Sequence, residues 1–435
     1  MLDGVSEAIT RRREVTPRRW TLKVCPVTVV AFCAVMLCQF AREDASFGGM
    51  GDAGDTVTDN LYRGQDQEDE AVDSCKLGGW DDCGKEQRNE QRLVRLEGER
   101  VGHVEELELV PGKKHLLKTI SMKPVIFEIP DFFTSEECKH MIALAKEQGL
   151  EASKTTSSGT NEALPLFDGN RDNKLSLREM QQTLEDGFDV FLDDSDVRQM
   201  YSELGIDLNH DDFLSRQEVT SKSIGLIKAY VSKLKEEMPS KKSRFSEQTW
   251  IYPDKTTDPL VLSFQERISR LARLPQALID KFSYFQVVHY GKHGHYNAHH
   301  DSSDVDSMTC CHLTQSKRCR ICRFMTIMVY LNTVEEGGET AFPIANNDTY
   351  DRHVFRLNGM MNLNARCHQS NLRVRPQLGK AVIWYNHFIN ETTGWLGDVD
   401  PFTWHGGCPV TKGKKWIMNR WIAVSNDREL DLELS

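Results

Sequence analysis

Between Gln286 and Asp301 the chain reads Gln-Val-Val-His-Tyr-Gly-Lys-His-Gly-His-Tyr-Asn-Ala-His-His-Asp. His299 and Asp301 stand two apart, the spacing that turns both side chains to one face of an extended segment and His300 to the other. One imidazole and one carboxylate on a shared face make two thirds of the facial triad that holds non-haem iron(II) and leaves coordination positions open. The third ligand must come from far along the chain, and His405, in Trp-His-Gly-Gly-Cys-Pro, is the leading candidate. Ten residues later comes Lys415, in Gly-Lys-Lys-Trp. A buried ammonium there would pair with the far carboxylate of a 2-oxo diacid whose other end chelates the metal. Its neighbour Lys414 is the rival, but strand alternation and spacing favour Lys415. His289, His293, His295 and His300 crowd the same loop, so a zinc site among them is a competing reading. A lone His-x-Asp is usually structural; the set, together with His405 and Lys415, points to iron chemistry.

A second constellation lies upstream. Asp168, Asn170 and Asp172 alternate and Glu179 follows; Asp207, Asn209 and Asp211 alternate and Glu218 follows. Calcium takes six to eight oxygens, and a twelve-residue EF-hand loop supplies them from positions one, three and five, a backbone carbonyl at seven and a bidentate Glu at twelve. Position seven is Lys174 in one loop and Phe213 in the other, each contributing only its carbonyl; position eight is Leu175 or Leu214, suited to pairing the loops. Position six departs from the pattern, because Asn173 and Asp212 stand where Gly is usual. Both residue types tolerate a positive φ better than most. A pair of acidic surface loops is the bland alternative.

Tyr-Gly-x-x-x-x-Tyr-x-x-His-x-Asp from Tyr290, the downstream His405, and Lys415 followed by Trp together resemble the prolyl 4-hydroxylase family. The resemblance takes in Val125–Ala145, Arg244–Leu274, Val329-Tyr-Leu-Asn332, Gly337-Gly-Glu-Thr340 and Gly379–Tyr385, with the EF-hand segment reading as an insertion. It implies His299, Asp301 and His405 as iron(II) ligands, Lys415 as the 2-oxoglutarate anchor, and Tyr290 and Tyr330 lining the cosubstrate pocket. It also implies O2 as co-substrate, ascorbate to rescue over-oxidised iron, calcium in the loops, and a proline-containing protein or peptide as substrate. With the membrane segment described below, the combination resembles the membrane-anchored members of that family, and a role in oxygen sensing is open.

Elements must position these groups. Val125–Ile129 reads as a strand and Ser135-Glu-Glu137 opens a helix carrying Met141, Ile142, Leu144 and Ala145. A further helix is expected near Asp258–Leu274, then short strands at Tyr284–Tyr290, Arg323–Leu331, Asn371–Arg375, Lys380–Tyr385 and Trp416–Val424. Many short strands without long intervening helices suit a β-sandwich or jelly roll with room for a site between sheets. The expected fold is α+β: a double-stranded β-helix (jelly-roll) dioxygenase core, flanking helices, an inserted all-α EF-hand pair and an N-terminal transmembrane helix.

Val24 to Ala41 is uncharged and largely apolar, with Arg11, Arg12, Arg13, Arg18, Arg19 and Lys23 before it. About 18–20 apolar residues span a bilayer core, and the basic flank should stay cytosolic. A cleaved signal peptide has the same pattern, and a buried core helix is the third reading. The first two place the rest in the secretory pathway; the preferred one is a single-pass type II protein of the endoplasmic reticulum membrane, catalytic domain luminal. The sequons at Asn347 and Asn390 agree, as do nine of twelve cysteines beyond the segment, where disulfides become plausible. The insert Cys310–Cys322 could hold zinc, but disulfides suit that compartment better. Residues 42–75 carry ten acidic and two basic side chains and few large apolar ones, a solvated spacer. Organisation is therefore expected as 1–23 cytosolic tail, 24–41 anchor, 42–118 spacer and N-terminal region, 119–159 first part of the dioxygenase, 160–222 EF-hand pair, 223–425 catalytic domain and 426–435 acidic tail. A net charge of −11 argues against nucleic acid. Hydroxylation of another residue type, or a luminal calcium-binding protein with an inactive dioxygenase domain, are the rival functions. Oligomeric state is left open, a homo-oligomer included.

Overall fold

The computed structural model describes residues 91–154, 167–253, 258–280, 284–304 and 321–433. The expected tail, anchor and spacer lie outside the described residues, as do Cys310, Cys311 and Cys319. Among the described residues no helix is long and apolar enough to cross a membrane.

Two antiparallel sheets make the main body. The larger has nine strands in the spatial order Val104–Val110, Lys113–Met122, Val125–Ile129, Ala381–Tyr385, Ile321–Tyr330, Lys415–Ser425, Phe285–Tyr290, Glu247–Ile251 and Glu151–Ala152. The smaller has five: Leu372–Val374, Thr340–Phe342, His405–Gly407, His295–His299 and Arg244–Phe245. Side chains from both sheets form one apolar cluster, including Val288, Met328, Phe342, Val374, Val382 and Ile417, so they pack face to face. The opposite face of the large sheet carries Phe285, Val287, Ile327, Val329 and Ile383 against two helices. Period-two alternation sorts these positions: on the Ile321–Tyr330 strand, Ile327 and Val329 go to the helices, while Met328 and Tyr330 go between the sheets.

Both buttressing helices follow from local sequence. Thr134 accepts from the Glu137 amide while Glu137 accepts from the Thr134 amide, a capping box that starts Ser135–Gln148. Asp258 caps Pro259–Ala272, and Pro259 at its start loses no hydrogen bond there. Arg267 on the second helix grips the Glu137 carboxylate at 2.6 and 3.1 Å, locking the helices together. The first strand pair, Val104–Val110 with Lys113–Met122, falls where sequence pattern left structure open.

The inserted segment has its own core, built from Leu175, Met180, Leu184, Val197, Met200, Leu214, Ile227 and Val231. Its helices are Leu177–Phe188, Asp194–Leu204 and Ser221–Glu237.

Gly379 shows how tightly the catalytic region is joined. Its φ is +79°, a Cβ there would collide with the Phe133 carbonyl oxygen, and its own carbonyl accepts from the Phe133 amide at 2.9 Å. Gly112 also has positive φ (+73°) but open space around it. Gly379→Ala should cost about 3 kcal/mol or more and Gly112→Ala about 1–2 kcal/mol. Equal thermal shifts for the two variants would contradict the close approach.

Candidate active site

His299 ends one strand of the small sheet and His405 begins its neighbour, and the two residues are direct cross-strand partners. Asp301 lies just past the strand end rather than on it, as strand alternation had assumed, yet it still turns to the same side. Its carboxylate oxygens lie 3.7 Å from His299 Nε2 and 3.5 Å from His405 Nε2. One ligand atom from each residue falls within 4.8 Å of the others. Both imidazoles are oriented from behind: His299 Nδ1 meets the Asn297 carbonyl at 2.9 Å and His405 Nδ1 meets the Thr403 carbonyl at 2.8 Å. A carbonyl can only accept, so each Nδ1 carries the hydrogen and each Nε2 offers its lone pair inward. Asp301 Oδ2 accepts from Thr326 Oγ1 at 2.7 Å and from Trp421 Nε1 at 3.0 Å.

Electrostatics agree with a cation site. Burial draws the His299 imidazole down to about 4, and His405 adds to the effect. Burial alone would raise Asp301, but His405 and His299 hold its carboxyl well below the usual carboxylate range. Neutral imidazoles and an ionised carboxylate are the states that bind a divalent metal. The donor set therefore fits iron(II), with N and O ligands and an open side.

That open side is a cavity of about 760 Å³, ample for a small cosubstrate and part of a peptide. Lys415, 2 % exposed, reaches it from the start of the Lys415–Ser425 strand. Lys414 is exposed, so of the two lysines Lys415 is the one that strand alternation turns inward. Lys415 Nζ sits 5.2 Å from the Tyr290 ring centre and 5.6 Å from that of Tyr330, both of which are buried. Tyr330 Oη hydrogen-bonds Thr340 Oγ1 (2.7 Å) and the Val374 carbonyl (3.0 Å), tying the two sheets together beside the lysine. Among the described residues no carboxylate lies within ion-pair distance of Nζ. Burial pulls Lys415 down to about 7, against a nearby Glu339 that favours its charge. Lys415 and Tyr290 therefore line the cavity together with the three metal-ligand candidates, while Tyr330 stands next to Lys415 without lining it.

The other histidines divide. His300 turns from the triad to Thr403 Oγ1 (2.9 Å) and packs on Trp404; burial, then His405 and His299, bring it down to about 3. His295 is fully buried between the His293 and Lys242 carbonyls, and His289 pairs with Glu247. Among the described residues none of them joins a second metal cluster. Sequence reading gave no site role to Thr326, Trp421, Arg244 or Arg323, and Tyr296 entered it only as the second tyrosine of the motif that begins at Tyr290. Tyr296 stacks on His299 with ring centres 3.7 Å apart, under the Arg244 guanidinium, and Arg323 lies over Trp421 at 3.9 Å. Of the four without a role, only Thr326 left a signal, as a lone hydroxyl in the apolar run Phe324-Met-Thr-Ile-Met-Val.

In the insert, the two acidic loops have matching internal bonds. Asp168 accepts from the Asp172 and Asn173 amides, and Asp207 from Asp211 and Asp212. Glu179 accepts from Gly169 and Ser176, and Glu218 from Leu208 and Ser215. Asn170 and Asn209 likewise accept from the amides of Asp172 and Asp211. Lys174 and Phe213 open the short strands in which Leu175 pairs with Leu214. Asn173 and Asp212 take φ of 64° and 65°, the conformation Gly usually supplies; Arg171 and His210 do the same two positions earlier, which the sequence had not signalled. Asn347 and Asn390 lie in turns, half-buried and exposed respectively. Cys367 and Cys408 form a disulfide that ties the segment after Leu363 to the chain just beyond His405.

Lys415 generates a pH test. A charged ammonium prevails below about pH 7 and a neutral amine above it, so affinity for a dicarboxylate cosubstrate should fall as pH rises through that value. The fall should approach tenfold per pH unit, and Lys415→Arg should flatten it. Lys415→Ala should lose about 3–5 kcal/mol of cosubstrate binding, on the order of a hundredfold or more, with metal binding retained. A pH-independent Michaelis constant for 2-oxoglutarate, or a larger loss in Lys414→Ala, would contradict the assignment.

Residues 285–423 match the family model described as the 2OG-Fe(II) oxygenase superfamily. The human transmembrane prolyl 4-hydroxylase is 37% identical over 356 residues, covering 77% of this chain and 70% of that protein. Its mouse counterpart is 36% identical over the same shares. Prolyl 4-hydroxylase 13 of Arabidopsis thaliana is 29% identical over 171 residues, 39% of this chain and 53% of that protein. With two thirds of a curated relative spanned at this identity, and with the residues of the metal centre in place, the chain belongs to the family of transmembrane prolyl 4-hydroxylases within the 2OG-Fe(II) oxygenases.

Proposed function

We propose that the protein is a peptidyl-proline 4-dioxygenase that hydroxylates prolyl residues of protein substrates with O2 and 2-oxoglutarate. The observation that carries this reading is the convergence of His299, Asp301 and His405 with Lys415 in one cavity. Iron(II) with 2-oxoglutarate and O2 supplies an oxidant that inserts one oxygen into a C–H bond, the cosubstrate leaving as succinate and CO2. The chain's own residues do the rest. Asn297 and Thr403 carbonyls aim the imidazoles, Lys415 orients the far carboxylate of the cosubstrate, and Trp384, Ile417 and Met328 supply an apolar stretch of the cavity wall. Ascorbate restores iron oxidised in unproductive turnover.

The two matched loops, with Leu175 paired to Leu214, are an EF-hand pair binding calcium through Asp168, Asn170, Asp172, the Lys174 carbonyl and Glu179, and through Asp207, Asn209, Asp211, the Phe213 carbonyl and Glu218. Residues 24–41 are a signal anchor that holds the catalytic domain in the endoplasmic reticulum lumen, with Asn347 and Asn390 glycosylated; the Cys367–Cys408 disulfide suits that compartment. The inactive-domain alternative predicts decay of the catalytic set, whereas every member is present and oriented.

His299→Ala, Asp301→Ala and His405→Ala should each abolish iron-dependent succinate release and peptide hydroxylation in a folded protein, with His300→Ala far milder. Hydroxylation appearing at lysine rather than proline in a peptide library would replace the substrate assignment. Glu179→Gln and Glu218→Gln should each weaken calcium binding on the order of tenfold or more. If chelation left melting temperature and peptide turnover unchanged, the pair would be a mere appendage.

A further inference from the structure

Behind Asp301 runs a file of buried side chains that no motif marks. Trp384 Nε1 donates to Asn386 Oδ1 at 3.0 Å. Asn386 Nδ2 donates to the Arg323 carbonyl at 3.1 Å and to Thr326 Oγ1 at 2.9 Å. Thr326 Oγ1 donates to Asp301 Oδ2 at 2.7 Å. Asn386 is 0 % exposed and Thr326 and Trp384 1 % each, so water cannot substitute for any link.

Chemistry alone fixes the direction of every bond. An indole N–H can only donate and a carbonyl can only accept, so the Asn386 amide cannot flip. Its oxygen must face Trp384 and its nitrogen must face Arg323. The second amide hydrogen then occupies a lone pair of Thr326, whose own hydrogen is left for Asp301. Sheet register places the parts: Thr326 is the cross-strand partner of Trp384 on one side and of Trp421 on the other. One row of three strands thus supplies both donors to Asp301 Oδ2 and the indole that orients the amide.

We infer that Asn386 is a positioning residue of the metal centre, setting the Thr326 hydroxyl so that the Asp301 carboxylate is held against rotation. The inference rests on the His299–Asp301–His405 metal site. Asn386 touches neither metal nor cosubstrate and acts through Thr326. Its backbone bonds, from its amide to Phe324 and from the Asp400 amide to its carbonyl, survive side-chain replacement.

The test is a double-mutant cycle read by cobalt(II) titration of the full chain, following visible d–d absorption rather than turnover. Thr326→Val and Asn386→Ala should each raise the cobalt dissociation constant about tenfold, the usual effect of losing a partner behind a ligand. The double variant should be no worse than Thr326→Val, because the amide then has no hydroxyl to direct. Wild-type affinity in Asn386→Ala, or losses that multiply to about a hundredfold in the double variant, would overturn the relay and leave Asn386 a packing residue. Asn386→Asp is carried through the same cycle in case the alanine variant does not fold, since its carboxylate accepts from Trp384 but has no hydrogen for Thr326. His299→Ala is the control: retained cobalt binding there would overturn the metal site itself, and the relay with it.

Discussion

Two imidazoles and a carboxylate meet where the His295–His299 strand pairs with His405–Gly407, and neither strand can shift without dispersing them. The pairing is close: a Cβ on Gly406 would press on the Tyr296 and Asn297 carbonyl oxygens. A one-residue slip would turn every side chain of a strand to the other face, sending His405 away from the cavity. Register is therefore the quantity the surrounding structure must protect. The large sheet does so by packing Val288, Met328 and Ile417 against Phe342 and Val374 of the small one. The disulfide at Cys408 pins the far end of the second iron strand.

The same site buries charge, which an apolar interior resists. Asp301 and Lys415 meet that resistance in opposite ways. The carboxylate accepts from Thr326 and Trp421, lies beside the paired imidazoles, and remains ionised. The lysine faces aromatic rings and a more distant Glu339, and burial brings it close to neutrality at about 7. A saturated anion is a fixed part of the centre, while an under-partnered cation is ready to gain from an arriving carboxylate. This asymmetry suits Asp301 to holding a cation and Lys415 to receiving a carboxylate.

Spacing made much of this legible. His299 with Asp301, the distant His405, and Lys415 ten residues later are identities whose chemistry is specific, and strand alternation chose Lys415 over Lys414. Strands such as Phe285–Tyr290 and Ala381–Tyr385 fell within a residue of expectation because apolar alternation and turn residues bracket them. What stayed hidden was long-range: Thr326 and Trp421 look like ordinary strand residues until register sets them beside Asp301. Asn386 is less visible still, since its role depends on three partners spread over two strands. The Val104–Met122 hairpin was missed because its alternating glutamates and lysines hide a half-buried strand pair behind a polar composition. Asp301 lies beyond its strand, so the right face was inferred from a slightly wrong geometry.

The insertion bears on the register by contact rather than by sequence proximity. Arg178, directly before Glu179, donates to the Arg356 and Leu357 carbonyls at 2.6 and 3.0 Å, and Arg356 pairs with Asp186. The chain that follows Leu357 returns to the iron strand, where the Met361 carbonyl accepts from the Ala298 amide at 2.9 Å. A second route leaves the module through Phe191, whose amide donates to Lys241, while Val190 bridges Lys242. Lys242 and Ser243 then accept from His295 and from the Asn297 amide. Both routes end on the strand that carries His299, one on each flank of Asn297. The second is largely backbone, so it is indifferent to most side-chain changes; the first hangs on two guanidiniums, those of Arg178 and Arg356. Loosening the module would therefore weaken two supports of the His295–His299 strand at once, while its pairing with His405–Gly407 and Arg244–Phe245 remained.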